Sequence, residues 1–198
     1  MTQDFTVLTV CTGNICRSPA MERLFVHVFA DAAEEGLRVH SGGTYAHDGE
    51  DMQPPMKQRV ADYGADAADF TARQVTAAMV EEADLILTAT REHLEDVTAE
   101  VPGARARTFT IRELGRLAEH LGREAVRAQL RDVVGEGATQ RDRIAAVVPL
   151  LDRARQDAGR PGPDDDVVDP YMLPDDVYDE SFQQIIGPIE VLAEVTRR

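Results

Sequence analysis

An α/β fold built on a parallel sheet is the class this sequence predicts. Two observations predict it: β-rich apolar runs alternate with helical apolar patterns from Phe5 to Leu121, and helices separate the successive strand-like runs. Strands joined through helices run parallel with right-handed crossovers, and binding sites in such sheets lie beyond the carboxyl ends of the strands. The first strand is "FTVLTV", Phe5 to Val10. After a glycine-containing loop, Met21, Leu24, Phe25, Val28 and Phe29 recur at the spacing of one helix face. "LRVHSGG", Leu37 to Gly43, fits a second strand. "PPMKQRVADYG" fits a helix that opens on proline and closes on Gly64. "ADLILTA", Ala83 to Ala89, reads as a buried strand, and "ARTFTI", Ala106 to Ile111, as another, followed by a helix from about Arg112 to Leu121.

The stretch from about Gly122 to Asp166 breaks this rhythm. It holds one helical face, through Ile144, Val147, Val148, Leu151 and Ala154, and then "GRPGPDDD", Gly159 to Asp166, rich in turn residues and acid. The reading is a helical insertion at 122–166 that ends in a flexible acidic loop. It interrupts a single domain spanning 1–198. The closing segment from Pro174 starts as a helix with acidic residues in its first turn; Val177, Phe182, Ile185 and Ile186 can face the sheet, and Pro188 is expected to kink it. No internal repeat is present.

Composition narrows the function. With 198 residues, 43% of them hydrophobic, the chain can bury a substantial core. No apolar run approaches the roughly 18 residues that span a bilayer, and the N-terminus lacks signal-peptide character, so a cytoplasmic location is expected. A net charge of -15 argues against nucleic-acid and membrane partners, both negative themselves. Any phosphate must therefore be bound locally. Two cysteines make no disulfide framework, and Cys11-x4-Cys16 is wider than common zinc-ligand spacing. Thiol chemistry is the better reading.

Both thiols lie in "VCTGNICRSP", Val10 to Pro19, where the first strand ends. A loop from a strand end into a helix N-terminus turns backbone N–H groups and the positive end of the helix dipole on one point, a cradle for a phosphate-like anion formed by Thr12, Gly13, Asn14, Ile15, Cys16, Arg17 and Ser18. Gly13 and Asn14 tolerate unusual dihedrals, and Ser18 with Pro19 is read as the helix start. Cys11 would point into the cradle, where the field favours the nucleophilic thiolate. Arg17 can return over the loop and hold two phosphate oxygens with its planar fork. The lysine of a Walker-type nucleotide loop is absent. Protonation of a leaving group needs an acid, and in "DDDVVDPYMLPDD" Asp169 stands out, stiffened by Pro170 and followed by Tyr171 as an aromatic wall. His93 and His40 read as ordinary core or surface histidines and stay outside this catalytic set.

"VCTGNICRSP" with "AMERLF", "HSGGT", "ARQV", "ADLILTATREH" and "DPY", in that order, resembles the low-molecular-weight protein-tyrosine phosphatase family over most of residues 5–121 and 167–197. The resemblance implies a three-layer sandwich with a four-stranded parallel sheet, no metal or cofactor, and a phosphocysteine intermediate. It assigns Cys11 as nucleophile, Arg17 as phosphate clamp and Asp169 as general acid. Ser18 becomes a hydrogen-bond donor to the thiolate, and Asn14 and Ser41 members of the network that shapes the loop. Tyr45 and Tyr171 are expected as pocket walls. Phe70 stands where some members carry histidine, and Met172 where a second aromatic is often found. Ile15 is associated with phosphotyrosine-specific members, whereas relatives acting on phosphoarginine tend to have threonine. The implied substrate is a phosphotyrosine-containing protein or a small phosphomonoester, acted on by a monomer or weak dimer.

Two further functions compete: arsenate reduction on the same scaffold, and an idle phosphate-binding module. A disulfide relay to thioredoxin needs cysteines after Cys16, and there are none; a small external thiol would have to serve. An idle module would not be expected to keep Cys11, Arg17 and Asp169 together. Cys16 is expected to have a redox use, forming a disulfide with an oxidised Cys11 across the curled loop.

Overall fold

The computed structural model describes residues 4–197. Strands β1 (Phe5–Cys11), β2 (Leu37–Gly43), β3 (Leu85–Thr88) and β4 (Thr108–Thr110) form one sheet in the order β2-β1-β3-β4, with every pairing parallel. The chain leaves β1 for β2 on one side and returns to β3 on the other. Strand order therefore reverses beside β1, and a crevice opens at its carboxyl end. The helices are α1 (Arg17–Val28), α2 (Ala30–Glu34), α3 (Pro54–Asp62), α4 (Ala77–Glu82), α5 (Arg91–Glu100), α6 (Ile111–Leu121), α7 (Arg123–Val134), α8 (Gln140–Ala158) and α9 (Asp175–Thr196).

Both faces of β1 are buried, which is why it reads as a continuous apolar run instead of an alternating one. Val7 and Cys11 join the larger core, with Phe25 of α1, Met56 of α3, Leu114 of α6 and Ile185 of α9. Leu8 and Val10 pack on the opposite face with Val80 of α4, Val97 of α5 and Ala104. The result is the expected three-layer α/β arrangement. β4 is shorter than "ARTFTI" suggests because residues 102–107 coil into a 3₁₀ turn before it.

α7 and α8 belong to the larger core. Val126, Leu130, Ile144, Val147 and Leu151 are all fully buried within it. Thr139 caps α8 through a reciprocal capping box with Asp142. α8 is further tied down by Arg155, which stacks 4.2 Å over Phe109 and donates from Nε to Glu113 Oε1 at 2.9 Å. Burial pushes the Glu113 carboxyl up, and Arg155 works against that shift. Arg155→Ala would leave Glu113 buried without its cation, so a loss of about 3–5 kcal/mol is expected in chemical denaturation. Arg155→Ala with Glu113→Leu should recover most of it.

α9 runs through Pro188 as one helix. Gly115 on α6 accommodates the proline: a Cβ there would come within 2.9 Å of Pro188 Cβ.

The acidic stretch at 159–166 is not the flexible loop its composition suggests. Asp165 is buried and accepts from Arg116 Nε and Nη2, both at 3.0 Å. Asp166 accepts from the backbone N–H of Arg91 at 2.8 Å and from its Nη2 at 2.9 Å, while Arg112 Nη1 donates to the Asp166 carbonyl at 2.9 Å. Arg112 and Arg116 lie one turn apart on α6, so one helix face anchors consecutive acids. The carboxylates are spent as tethers, and they fix the approach to Asp169.

Candidate active site

The loop after β1 is shaped by what its carbonyls bind. Those of Cys11, Thr12, Gly13 and Ile15 accept from the backbone N–H groups of Thr44, Tyr45, His47 and Gln53, at 2.9, 2.9, 2.9 and 2.7 Å. In a planar trans peptide C=O and N–H point opposite ways. The N–H groups of Thr12, Gly13, Asn14 and Cys16 therefore turn to the opposite side of the loop from those contacts, an arrangement that can hold an anion. Gly43 permits this approach, because a Cβ there would lie 2.4 Å from the Thr12 carbonyl oxygen.

Asn14 is fully buried at φ 53°, a left-handed conformation that asparagine tolerates. Its Nδ2 donates to Ser18 Oγ at 2.9 Å and its Oδ1 accepts from the Arg73 N–H at 2.9 Å, binding the loop apex to a neighbouring segment. Ser18 Oγ accepts that bond and lies 3.0 Å from Cys11 Sγ, so its own hydrogen is available to the sulfur. This commitment corrects the expected helix start. α1 begins at Arg17, after Cys16, with no side-chain cap. Ser41 is also corrected: its Oγ is buried without a hydrogen-bond partner, outside the loop network. Thr9 takes the adjacent place, donating from Oγ1 to the Ser18 carbonyl at 2.8 Å.

Arg17 is 4% exposed, an unusual depth for a guanidinium. Nη2 donates to Asp169 Oδ2 at 2.7 Å, Nη1 to the Val167 carbonyl at 3.4 Å, and Nε has no partner. A buried cation whose Nε–H is unspent can take an anion. Asp169 reaches it from a half-exposed position, and its Oδ1 accepts from the Tyr171 N–H across buried Pro170. Val167 N–H donates to the Ala89 carbonyl beyond β3, and Val168 N–H to Gln184 of α9. Arg17, which follows the Cys11 loop, and Asp169 thus meet, although Asp169 is 152 residues from Arg17.

At the rim, Tyr171 and His47 rings meet edge to face with centroids 5.6 Å apart. Tyr45 is 82% exposed; its backbone, not its ring, is tied to the loop. Cys16 is buried; burial, and then the Cys11 charge, push its thiol up to about 12, with the nearby Tyr178 of α9 working against that shift.

His93, set aside by the sequence reading, lies against the loop. Nε2 is 2.9 Å from Thr12 Oγ1 and Nδ1 is 2.7 Å from Thr90 Oγ1. The recognisable signal was Thr90 as the cap of α5 with His93 three residues on. Burial, then the Arg17 charge, push His93 down to about 4. In the unfolded chain its value is 6.5, so above that both states are neutral and stability is unaffected. Between 6.5 and about 4 only the unfolded chain takes the proton. Stability should fall across that window by about 3 kcal/mol in total, and His93→Gln should flatten this part of the profile in urea titrations.

The model of the family "Low molecular weight phosphotyrosine protein phosphatase" matches residues 6–127. The low molecular weight protein-tyrosine-phosphatase Etp of Escherichia coli is 35% identical over 104 residues, 52% of this chain and 67% of that one. The protein-arginine-phosphatase of Bacillus subtilis is 31% identical over 109 residues, 54% of this chain and 70% of its own. The crystal structure of the low molecular weight protein tyrosine phosphatase from T. tengcongensis superposes with a TM-score of 0.63 at 25% identity, covering 96% of this chain and 97% of that chain. The family match includes β1, the cradle loop and the sheet that carries them, and the chain belongs to the low molecular weight phosphotyrosine protein phosphatase family.

Proposed function

We propose that this enzyme hydrolyses phosphotyrosine monoesters on proteins through a phosphocysteine at Cys11. The carrying observation is the buried Arg17 guanidinium, with Nε unpartnered, between the Cys11 loop and Asp169. An incoming phosphate takes Asp169's place on Nη2 and fills the cradle N–H groups. Asp169, displaced from Arg17, takes up a proton from solvent; the Cys11 thiolate attacks phosphorus, the S–P bond forms and the P–O bond to the phenol breaks, while Asp169 gives that proton to the departing oxygen. Asp169 then takes a proton from water, whose oxygen attacks phosphorus. The S–P bond breaks and the thiolate returns with free phosphate. In this reading the whole chain acts as one domain, and 122–166 is an elaboration that anchors the acid loop.

The aromatic pair of His47 and Tyr171 and the buried, apolar Ile15 favour an aryl ester. The similarity to a protein-arginine-phosphatase keeps phosphoarginine as the second reading. Side-by-side kcat/KM values on phosphotyrosine peptide, phosphoarginine peptide, para-nitrophenyl phosphate and arsenate with a small thiol decide between them. Preference for phosphotyrosine by tenfold or more is expected. Preference for phosphoarginine, or reduction of arsenate, would replace the proposal.

The redox expectation for Cys16 belongs to this reading. A sulfenic acid on Cys11 and the Cys16 thiol would condense to a disulfide and water. With the Cys16 thiol pushed up to about 12, that step should be slow at neutral pH and quicken toward pH 9. After peroxide, the parent should recover activity with dithiothreitol, increasingly so at higher pH, and Cys16→Ser should recover none. Peptide mapping of the linked cysteines is the check.

A further inference from the structure

We propose that the Thr12 hydroxyl donates a hydrogen bond to a phosphoryl oxygen of the substrate, and that His93 is the positioning residue that leaves this hydrogen free. The inference rests on the phosphatase reading but adds the Thr12 side chain and His93 to it. Thr12 is exposed at the mouth of the cradle, and its Oγ1 lies 3.5 Å from Arg17 Nη2. That same Nη2 holds Asp169 Oδ2 at 2.7 Å. A phosphoryl oxygen that replaces Oδ2 on Nη2 arrives beside the Thr12 hydroxyl.

The direction of that hydroxyl follows from counting hydrogens. Thr90 Oγ1 already accepts the His93 backbone N–H as the cap of α5. Its own hydrogen goes to the nearest acceptor, His93 Nδ1 at 2.7 Å. Nδ1 is then unprotonated, and the neutral ring carries its hydrogen on Nε2, which donates to Thr12 Oγ1 at 2.9 Å. Thr12 accepts from His93 and from Arg17, so its hydrogen remains for an anion. The opposite tautomer would strand the half-buried Thr90 hydrogen and spend the Thr12 hydrogen on the ring. The environment that keeps His93 neutral, burial with Arg17 close by, keeps the order Thr90 to His93 to Thr12 in place at the pH of the reaction.

The test is anion affinity, which needs no turnover. Inorganic phosphate binding to Cys11→Ser protein is measured by calorimetry, and vanadate inhibition is measured on the active enzyme. Thr12→Val should weaken both by about tenfold or more, as for loss of a hydrogen bond to a charged group, and Thr12→Ser should stay within about threefold of the parent. His93→Leu should weaken both, and His93→Gln, which keeps a donor at the Nε2 position, should restore most of the loss. In the double variant, His93→Leu should add less than about twofold to Thr12→Val. Unchanged affinity in Thr12→Val, or full additivity in the pair, overturns the proposal. Should Thr12→Val fail to fold by thermal melting, the comparison of His93→Leu with His93→Gln decides alone. A parent that binds phosphate but turns over no phosphomonoester would fail the phosphatase reading and leave the Thr12 comparison valid. A parent that binds no phosphate would fail both.

Discussion

Cys11→Ser is expected to abolish turnover, by about 10⁴-fold or more, while phosphate still binds. The reason is a separation of roles in the loop. In the proposed mechanism the anion is held by the N–H groups of Thr12, Gly13, Asn14 and Cys16 and by Arg17, none of which depends on the sulfur. The backbone cradle is fixed from outside by Thr44, Tyr45, His47 and Gln53, and by Asn14 from within. A serine hydroxyl retains its proton at neutral pH, and its hydrogen-bond neighbour at this position, the Ser18 hydroxyl, is no general base. Stopped assays on para-nitrophenyl phosphate, with phosphate calorimetry on the same sample, check both halves. Turnover within a hundredfold of the parent would remove Cys11 from the reaction.

Asp169→Asn should move rate and affinity in opposite directions. The ion pair from Arg17 Nη2 to Asp169 Oδ2 must open when phosphate binds, so the carboxylate competes with substrate. Neutral asparagine competes less and repels less, and phosphate should bind severalfold more tightly. Asp169 is half exposed, so the gain stays modest. The rate should fall by about 10²–10⁴ on unactivated phenyl phosphates, whose leaving oxygens need a proton, and by far less on dinitrophenyl phosphate, which does not. A Brønsted plot of rate against leaving-group acidity should steepen in the variant. Parallel plots would assign the proton to another group.

The loop was readable because its chemistry is local. Cys11, Asn14 and Arg17 lie in one stretch whose residue types demand a cradle, and β1 ends where the apolar run ends. Asp169 was legible through the stiffness of Asp-Pro-Tyr, but its partner was not, because no spacing rule links residues 17 and 169. Long-range pairings explain the other differences. The acids at 165 and 166 looked like a solvated run until Arg91, Arg112 and Arg116 were seen to face them. His93 looked ordinary because its role comes from Thr12, 81 residues away. α2 and α4 have only 5 and 6 residues, too few for an apolar period to register, although Thr76 caps α4 in a recognisable way. Ser41 shows the reverse case: a residue assigned by resemblance whose hydroxyl bonds to none of the groups it was expected to support.

The most direct measurement is to trap the intermediate. Asp169→Asn should slow the step that activates water, while an activated aryl phosphate should still transfer its phosphoryl group to the enzyme. Acid quench during turnover, followed by peptide mass spectrometry, should find one phosphoryl group on the peptide carrying Cys11 and none in Cys11→Ser. Phosphate on any other residue, or product formation with no phosphorylated peptide at any quench time, would contradict a phosphocysteine mechanism.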